Sequence, residues 1–321
     1  MPNETTRRET SSSFRKSIQI LGIIMAAILR PTLREVCPTA VFTLSHVHVG
    51  LKKSGDFQNA ARWLLPRCRL REAANGQGFE HLHMRLEAPK GPYSYKPQNV
   101  GFEPRNVGRE PAALAPGGGF AGAAVAEFCW FEEWAGWEGV EKHGGTGHGS
   151  MFHSKVDGFI EEEWTFYQAP EGAEPVMLPE TSSFFNNPAA RGGDLHICHF
   201  RTSSEDERTA LLAHWGSSLS EAQLERRSSS WGAFAVILEN KFRRGEFAFI
   251  AEAQRDVIRG SLARLALVSR IGEWVKTAPC SEAGEVLRFG PPLWPKDMAM
   301  TPKDIDDQGS DEDTFPNISP S

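Results

Sequence analysis

The stretch AVFTLSHVHV at residues 40–49 decides the fold, because its β-branched and apolar residues recur with a period of two. That period places successive side chains on opposite faces of an extended chain and predicts a strand. A second stretch of the same character, DLHICHF at 194–200, predicts another strand in the second half of the chain. Both stretches carry two histidines on a mainly apolar strand.

The segments after each of these two strands predict the same order of elements. Apolar residues at helical spacing predict helices, and short alternating runs predict strands. Ser203 is the expected N-cap of one helix, with Asp206 at its third position, and Pro66 is expected to kink or restart another. In chain order the predicted elements are strand 40–49, helix 56–72, strands 79–86 and 121–131, an extended segment 156–167, strand 194–200, a helix beginning near 203, strands 231–239 and 245–252, and helix 256–277.

The corresponding strands also begin alike, with LSHVHV opposite DLHICHF and AEFCWFEEW opposite EFAFIAEAQ. A β-α-β-β-α unit covers one sheet face with helices and leaves the other face in need of a partner. Two such units in one chain resemble the dimeric α/β-barrel (ferredoxin-like) superfamily, which includes antibiotic-biosynthesis monooxygenases, EthD-like proteins and stress-responsive barrel proteins. The expected fold class is α+β, with two ferredoxin-like β-α-β-β-α repeats packed sheet to sheet as a single-chain α/β barrel.

The resemblance covers roughly residues 39–286 and is architectural. It implies a small apolar ligand or substrate held inside the barrel, often with no metal or organic cofactor, so no cofactor is predicted. The expected organisation is a partly disordered leader at 1–38, a first repeat at 39–170 with an insertion at 89–119, a connector at 171–193, a second repeat at 194–290, and an extended to disordered acidic tail at 291–321.

Charge and composition exclude several classes of function. The net charge is −6, and the segment after Thr301 holds six acids against Lys303, a sum of −5, so no basic face for nucleic acid is expected. Five cysteines without a C-x-x-C pair indicate reduced thiols.

The apolar run at 18–29 is shorter than the ~20 residues of a spanning helix. A monomer or homodimer without stable membrane insertion is expected in the cytoplasm, with mitochondrial import as the alternative.

The densest group of candidate catalytic residues lies at 140–164, VEKHGGTGHGSMFHSKVDGFIEEEW. Its histidines, His143, His148 and His153, are spaced five apart among glycines, which predicts a loop able to wrap around an ion. His153 is the favoured acid–base residue because neighbouring aromatic residues would desolvate it, and Glu163 would act as a base or orient it. A surface loop with incidental histidines and a solvated acidic edge are the alternatives, and they are favoured for these residue types.

The strand histidines form a second group of candidates. His46 and His48 share one strand face, as do His81 and His83, so four imidazoles would converge if their strands were neighbours. Packed or hydrogen-bonded histidines are the favoured alternative, and no metal ligand is predicted. The predicted ligand-binding residues are His46, His48, His81, His83, Trp164 and His196.

The sequence contains no G-x-S-x-G motif, P-loop or dinucleotide fingerprint. The resemblance to the α/β-barrel superfamily instead implies the leading hypothesis, a small-molecule enzyme that acts on an aromatic or polyketide-like metabolite, with histidine and glutamate acid–base groups. A non-catalytic ligand-binding or stress-response barrel and a histidine-ligated metal-dependent enzyme remain as alternatives.

Overall fold

A computed structural model describes residues 32–86, 125–180, 192–224, 234–253, 260–293 and 314–318. The predicted insertion at 89–119 lies outside the described residues, as does most of the predicted leader. The strands are β1 Leu33–Glu35, β2 Val41–Gly50, β3 Gln77–Arg85, β4 Val125–Trp134, β5 Ile160–Gln168, β6 Met177–Pro179, β7 Leu195–Arg201, β8 Phe234–Asn240, β9 Glu246–Glu252, β10 Glu282–Ala283 and β11 Leu287–Pro292. The α-helices are α1 Ser54–Arg71, α2 Trp137–His143, α3 Gly147–Val156, α4 Glu205–Leu224 and α5 Gly260–Thr277.

Eight strands close into an antiparallel ring. Its order is β3-β4-β2-β5-β8-β9-β7-β11, and β11 pairs back onto β3. In the first half of the chain, the four successive strands β2, β3, β4 and β5 lie side by side in the order β5-β2-β4-β3. In the second half, the four successive ring strands β7, β8, β9 and β11 lie in the equivalent order β11-β7-β9-β8. Closure removes the exposed sheet edges that would otherwise invite pairing with other chains.

Alternation along the strands separates the barrel interior from its outer faces. Phe42, Leu44, Phe131, Ile197 and Ile250 belong to one buried cluster that draws on strands from both halves, so these positions point inward. The intervening residues pack outward. On one side they form a core with α1 and α3, and on the other side with α4 and α5. Within the described residues this arrangement confirms the predicted strands, and the strands that form the ring are largely buried on both faces.

The predicted glycine-rich loop around residues 143–153 is wrong, because this segment forms α2 and α3. Helix propensity is poor there, but Phe152 and Val156 are buried against α1 and supply packing that the propensity lacks. Gly139 lets α2 come close, since a Cβ at this position would lie 2.2 Å from the backbone oxygen of Asn75.

Replacement of Gly139 by alanine tests this close approach. We expect a loss of about 1–3 kcal/mol from overpacking against a backbone atom, reduced by up to about 1 kcal/mol of gained helix propensity. Gly147→Ala is the matched control, because a Cβ at the start of α3 would meet no atom within 4 Å. Chemical unfolding of both variants gives the comparison, and equal stability of the two would contradict the packing role of Gly139.

The structure differs from the sequence-based prediction in three smaller respects, which concern two helices and the tail. Helix α1 continues through Pro66 and does not restart there. The cap of α4 lies one residue later than predicted, because Ser204 Oγ accepts the Glu207 N–H at 3.2 Å. In the predicted disordered tail, the short segment 314–318 instead packs on α1, where the Phe315 ring lies 4.7 Å from that of Trp63.

Candidate functional site

A polar cluster interrupts the apolar interior of the barrel around His46. The side chain of His46 points inward from β2, and its Nδ1 lies 3.3 Å from Glu127 Oε1 on β4. Arg85 of β3 donates to the other oxygen of Glu127 at 2.5 Å. Burial opposes ionisation of Glu127, but the hydrogen bonds from His46 and Arg85 hold its pKa at about 2. This carboxylate is therefore ionised at neutral pH.

A second pair of groups lies beside this cluster. The His199 ring is 6.0 Å from the His46 ring, and Tyr167 Oη lies 3.4 Å from His199 Nδ1. Burial lowers the pKa of His199 to about 4 and raises that of Tyr167, so both are uncharged at neutral pH. We call the following set the His46 cluster: His46, His48, Arg85, Glu127, Glu163, His199 and Tyr167.

The second interior group is the Glu252 triad, formed by His81, His83 and Glu252. All three side chains are buried, and His81 Nδ1 lies 3.0 Å from Glu252 Oε2. His83 Nδ1 donates to the Gly290 carbonyl at 2.8 Å. Burial raises the pKa of Glu252 to about 8, lowers that of His83 to about 4 and lowers that of His81 strongly. The triad is thus mainly neutral at pH 7, with the Glu252 carboxyl able to donate to His81.

The third group, the outer cluster, lies between helices outside the barrel and comprises Cys68, Glu72, His143 and His148. Donor atoms of the cysteine and the two histidines lie within 4.8 Å of one another. Glu72 Oε1 is 2.9 Å from His148 Nε2, and Glu72 Oε2 is 3.9 Å from His143 Nδ1. Both this cluster and the Glu252 triad have donor types and spacings that suit a metal ion.

The predicted histidine pairs do not converge, because β4 lies between β2 and β3. Cys129 separates His46 from His83 in the register of these strands. His46 and His48 are instead grouped with acids of β4 and β5, while His81 and His83 meet Glu252 of β9.

The remaining predicted residues fall in different places. Glu163 pairs with His46 across β5 and β2 and shares its inward face, whereas Trp164 takes the opposite, outward face. His196 is buried on the outward face of β7, and burial lowers its pKa to about 4. His153 lies on the surface of α3, with a side chain that is 38% exposed and an Nδ1 that is 3.2 Å from Asp157 Oδ1. The structure thus separates His153 from His143 and His148, which it brings together.

Comparison with known proteins gives no match by sequence. No protein-family model and no curated protein matches the chain. A proposed monooxygenase from Lactobacillus acidophilus NCFM is similar in structure, with 8% identity and a TM-score of 0.47 over 78% of this chain and 93% of that one. An anthrone oxidase-like protein is also similar, with 9% identity and a TM-score of 0.42 over 81% of this chain and 94% of that one. A proposed chlorite dismutase has 10% identity and a TM-score of 0.41 over 81% of this chain and 98% of that one.

The strand pairing of this chain defines its fold. The chain is an α+β barrel protein. Within the described residues of this barrel protein, no helix is long and apolar enough to cross a membrane. A cavity of about 200 Å³ is lined by residues of β1, β6, β8 and α4, among them Trp215 and Val236, and by none of the predicted site residues.

Several residues of these clusters were not predicted from the sequence. Glu127 and Glu252 each stand at an inward position of a strand whose inward residues are mainly apolar, and a buried carboxylate in such a run is the signal that marks them. Cys68 and Glu72 are four residues apart, which places them on one face at the end of α1. Their partners come from α2 and α3, and no local pattern connects those segments to α1.

Proposed function

We propose that this protein is a small-molecule enzyme whose acid–base groups belong to the His46 cluster inside the barrel. The observation that supports this most is the chain of contacts from Arg85 to Glu127 to His46. An imidazole oriented by an ionised carboxylate, which is itself fixed by a third group, is the recurring arrangement of a general base. The equal strand order of the two halves supports two tandem ferredoxin-like repeats that enclose the substrate.

Each residue has a distinct part in this proposal. Glu127 accepts the Nδ1–H of His46 and leaves Nε2 as the atom that takes a proton from the substrate. The neutral Tyr167–His199 pair offers an uncharged hydrogen-bond donor to a substrate oxygen. The Phe289 ring lies 6.1 Å from the His46 ring and favours an apolar or aromatic substrate, in keeping with the metabolite class that the resemblance implies.

The His46→Gln variant tests the proposed base. The substrate is first identified by native mass spectrometry and incubation. We then expect kcat/KM to fall by about 10²–10⁴-fold in the variant, because glutamine cannot take the proton. Glu127→Gln should cause a smaller loss and should shift the pH profile, since it removes the charge that orients His46. The assay is steady-state turnover, with the fold of each variant checked by circular dichroism.

His153→Ala is assayed beside these variants, because His153 is the competing base predicted from the sequence. Loss of turnover in His153→Ala with full turnover in His46→Gln would overturn the proposal in favour of the surface of α3. Tight binding of a ligand that is never converted, even by wild type, would indicate a ligand-binding barrel instead of an enzyme.

A further inference from the structure

The outer cluster combines four residues with the side-chain types that transition metals select. They come from three segments: the end of α1 with the turn after it, the end of α2, and the start of α3. We propose that Cys68, Glu72, His143 and His148 bind one zinc-like divalent cation outside the barrel. This site is independent of the proposed acid–base chemistry in the interior.

The spacing of the donor atoms fits a single ion. Ligands at 2.0–2.3 Å from one tetrahedral ion lie about 3.3–3.7 Å apart. The thiol and the two imidazoles are within 4.8 Å of one another, and the Glu72 oxygens lie 2.9 and 3.9 Å from the histidine nitrogens. The thiol and the two imidazoles therefore need only small side-chain adjustments to share an ion, and the Glu72 carboxylate lies beside both imidazoles.

Charge balance favours this cluster over the Glu252 triad as a cation site. A thiolate and a carboxylate together neutralise a dication, so the loaded outer cluster carries no net buried charge. The Glu252 triad offers one carboxylate among aromatic rings, and a dication there would leave one positive charge buried. Sharing of a proton between Glu252 and His81 accounts for that triad without an ion.

The surroundings of the outer cluster hold its ligands in place. The side-chain amide of Asn75 donates to Glu72 Oε2, and the ring of Trp134 lies 4.9 Å from that of His143. Thr146 Oγ1 donates to the His143 carbonyl at 2.8 Å within the turn that joins α2 to α3. Outer contacts of this kind orient metal ligands in known sites.

The donor set also indicates which ion binds and what it does. One sulfur, two imidazoles and one carboxylate suit Zn²⁺, and not Mg²⁺ or Ca²⁺, which take oxygen ligands. Four protein ligands leave no open position, which is typical of a structural site. Such an ion would fasten the two glycine-rich helices to α1, which explains how a sequence of low helix propensity is ordered there.

The test uses the full-length chain, purified without chelator and titrated with Co²⁺ after removal of bound metal. We expect about one equivalent to bind, with a cysteinate-to-cobalt charge-transfer band in the near ultraviolet and displacement by Zn²⁺. Cys68→Ser should abolish the band. His148→Asn should weaken Co²⁺ binding by at least about 10–100-fold, because loss of an outer contact to a metal ligand already weakens binding by that much. Cys198→Ser, at another buried cysteine, should change neither.

Wild-type protein that binds no Co²⁺ or Zn²⁺ would overturn the proposal without reference to any variant. A charge-transfer band that persists in Cys68→Ser would also overturn it. Binding that is lost in His83→Asn but kept in Cys68→Ser and His148→Asn would assign the ion to the Glu252 triad, which likewise rejects the outer site.

Discussion

Replacement of Arg208 by methionine is expected to lower the free energy of unfolding by about 3–5 kcal/mol, because the Glu239 carboxylate would stay buried without its cation. Arg208 of α4 donates from Nε and Nη2 to the two oxygens of Glu239 on β8, at 2.9 and 2.8 Å. Both side chains are less than 8% exposed. Denaturant unfolding of wild type and variant measures the loss.

Two further variants separate the ion pair from simple loss of packing. Arg208→Met with Glu239→Gln should recover most of the stability, since the glutamine carries no charge and can still accept the Gly245 N–H that Glu239 accepts at 3.0 Å. Arg244→Met removes an exposed pair with Glu205 and should cost at most about 1 kcal/mol. A loss in Arg208→Met no larger than in Arg244→Met would show that the buried pair contributes little.

Replacement of Glu252 by glutamine is expected to change stability in a pH-dependent way. The folded-state pKa of about 8 exceeds the ordinary 4.5, so the folded protein binds the proton more tightly than the unfolded chain. Stability from this group is fully present below pH 4.5 and is lost as the pH rises through 8, by about 4 kcal/mol at pH 8. Glutamine does not titrate and has no such loss. The free energy of unfolding of the variant minus that of wild type should therefore increase by about 3 kcal/mol from pH 5 to pH 8.

Denaturant unfolding at the two pH values measures this difference. Protonation of the buried histidines also changes stability, but it lowers stability as the pH falls and largely cancels when variant and wild type are compared at the same pH. Glu282→Gln, which removes a carboxylate that is 70% exposed on β10, is the control for the same change at the surface. A constant difference for Glu252→Gln across this range would contradict a buried carboxyl that keeps its proton.

Much of the local structure could be predicted from the sequence. Alternation in 40–49 predicts β2, and the same period places His46 and His48 on one face, because side-chain direction in a strand is a local property. The long helix after β9 is marked by its apolar stripe and ends at Thr277 as predicted. The segment of α2 and α3 could not be predicted, because its helices depend on contact with α1 and the close approach at Gly139.

The sequence by itself determined the α+β character of this protein, the period of its strands and the face on which each strand histidine lies. These properties follow from backbone geometry and residue type within a few positions. The tertiary structure alone decided that β4 separates the two histidine pairs, that His46 meets Glu127, and that His143 and His148 meet Cys68 and Glu72. Strand order and helix docking bring together residues far apart in the chain, and the free energy that selects them comes from burial over the whole core.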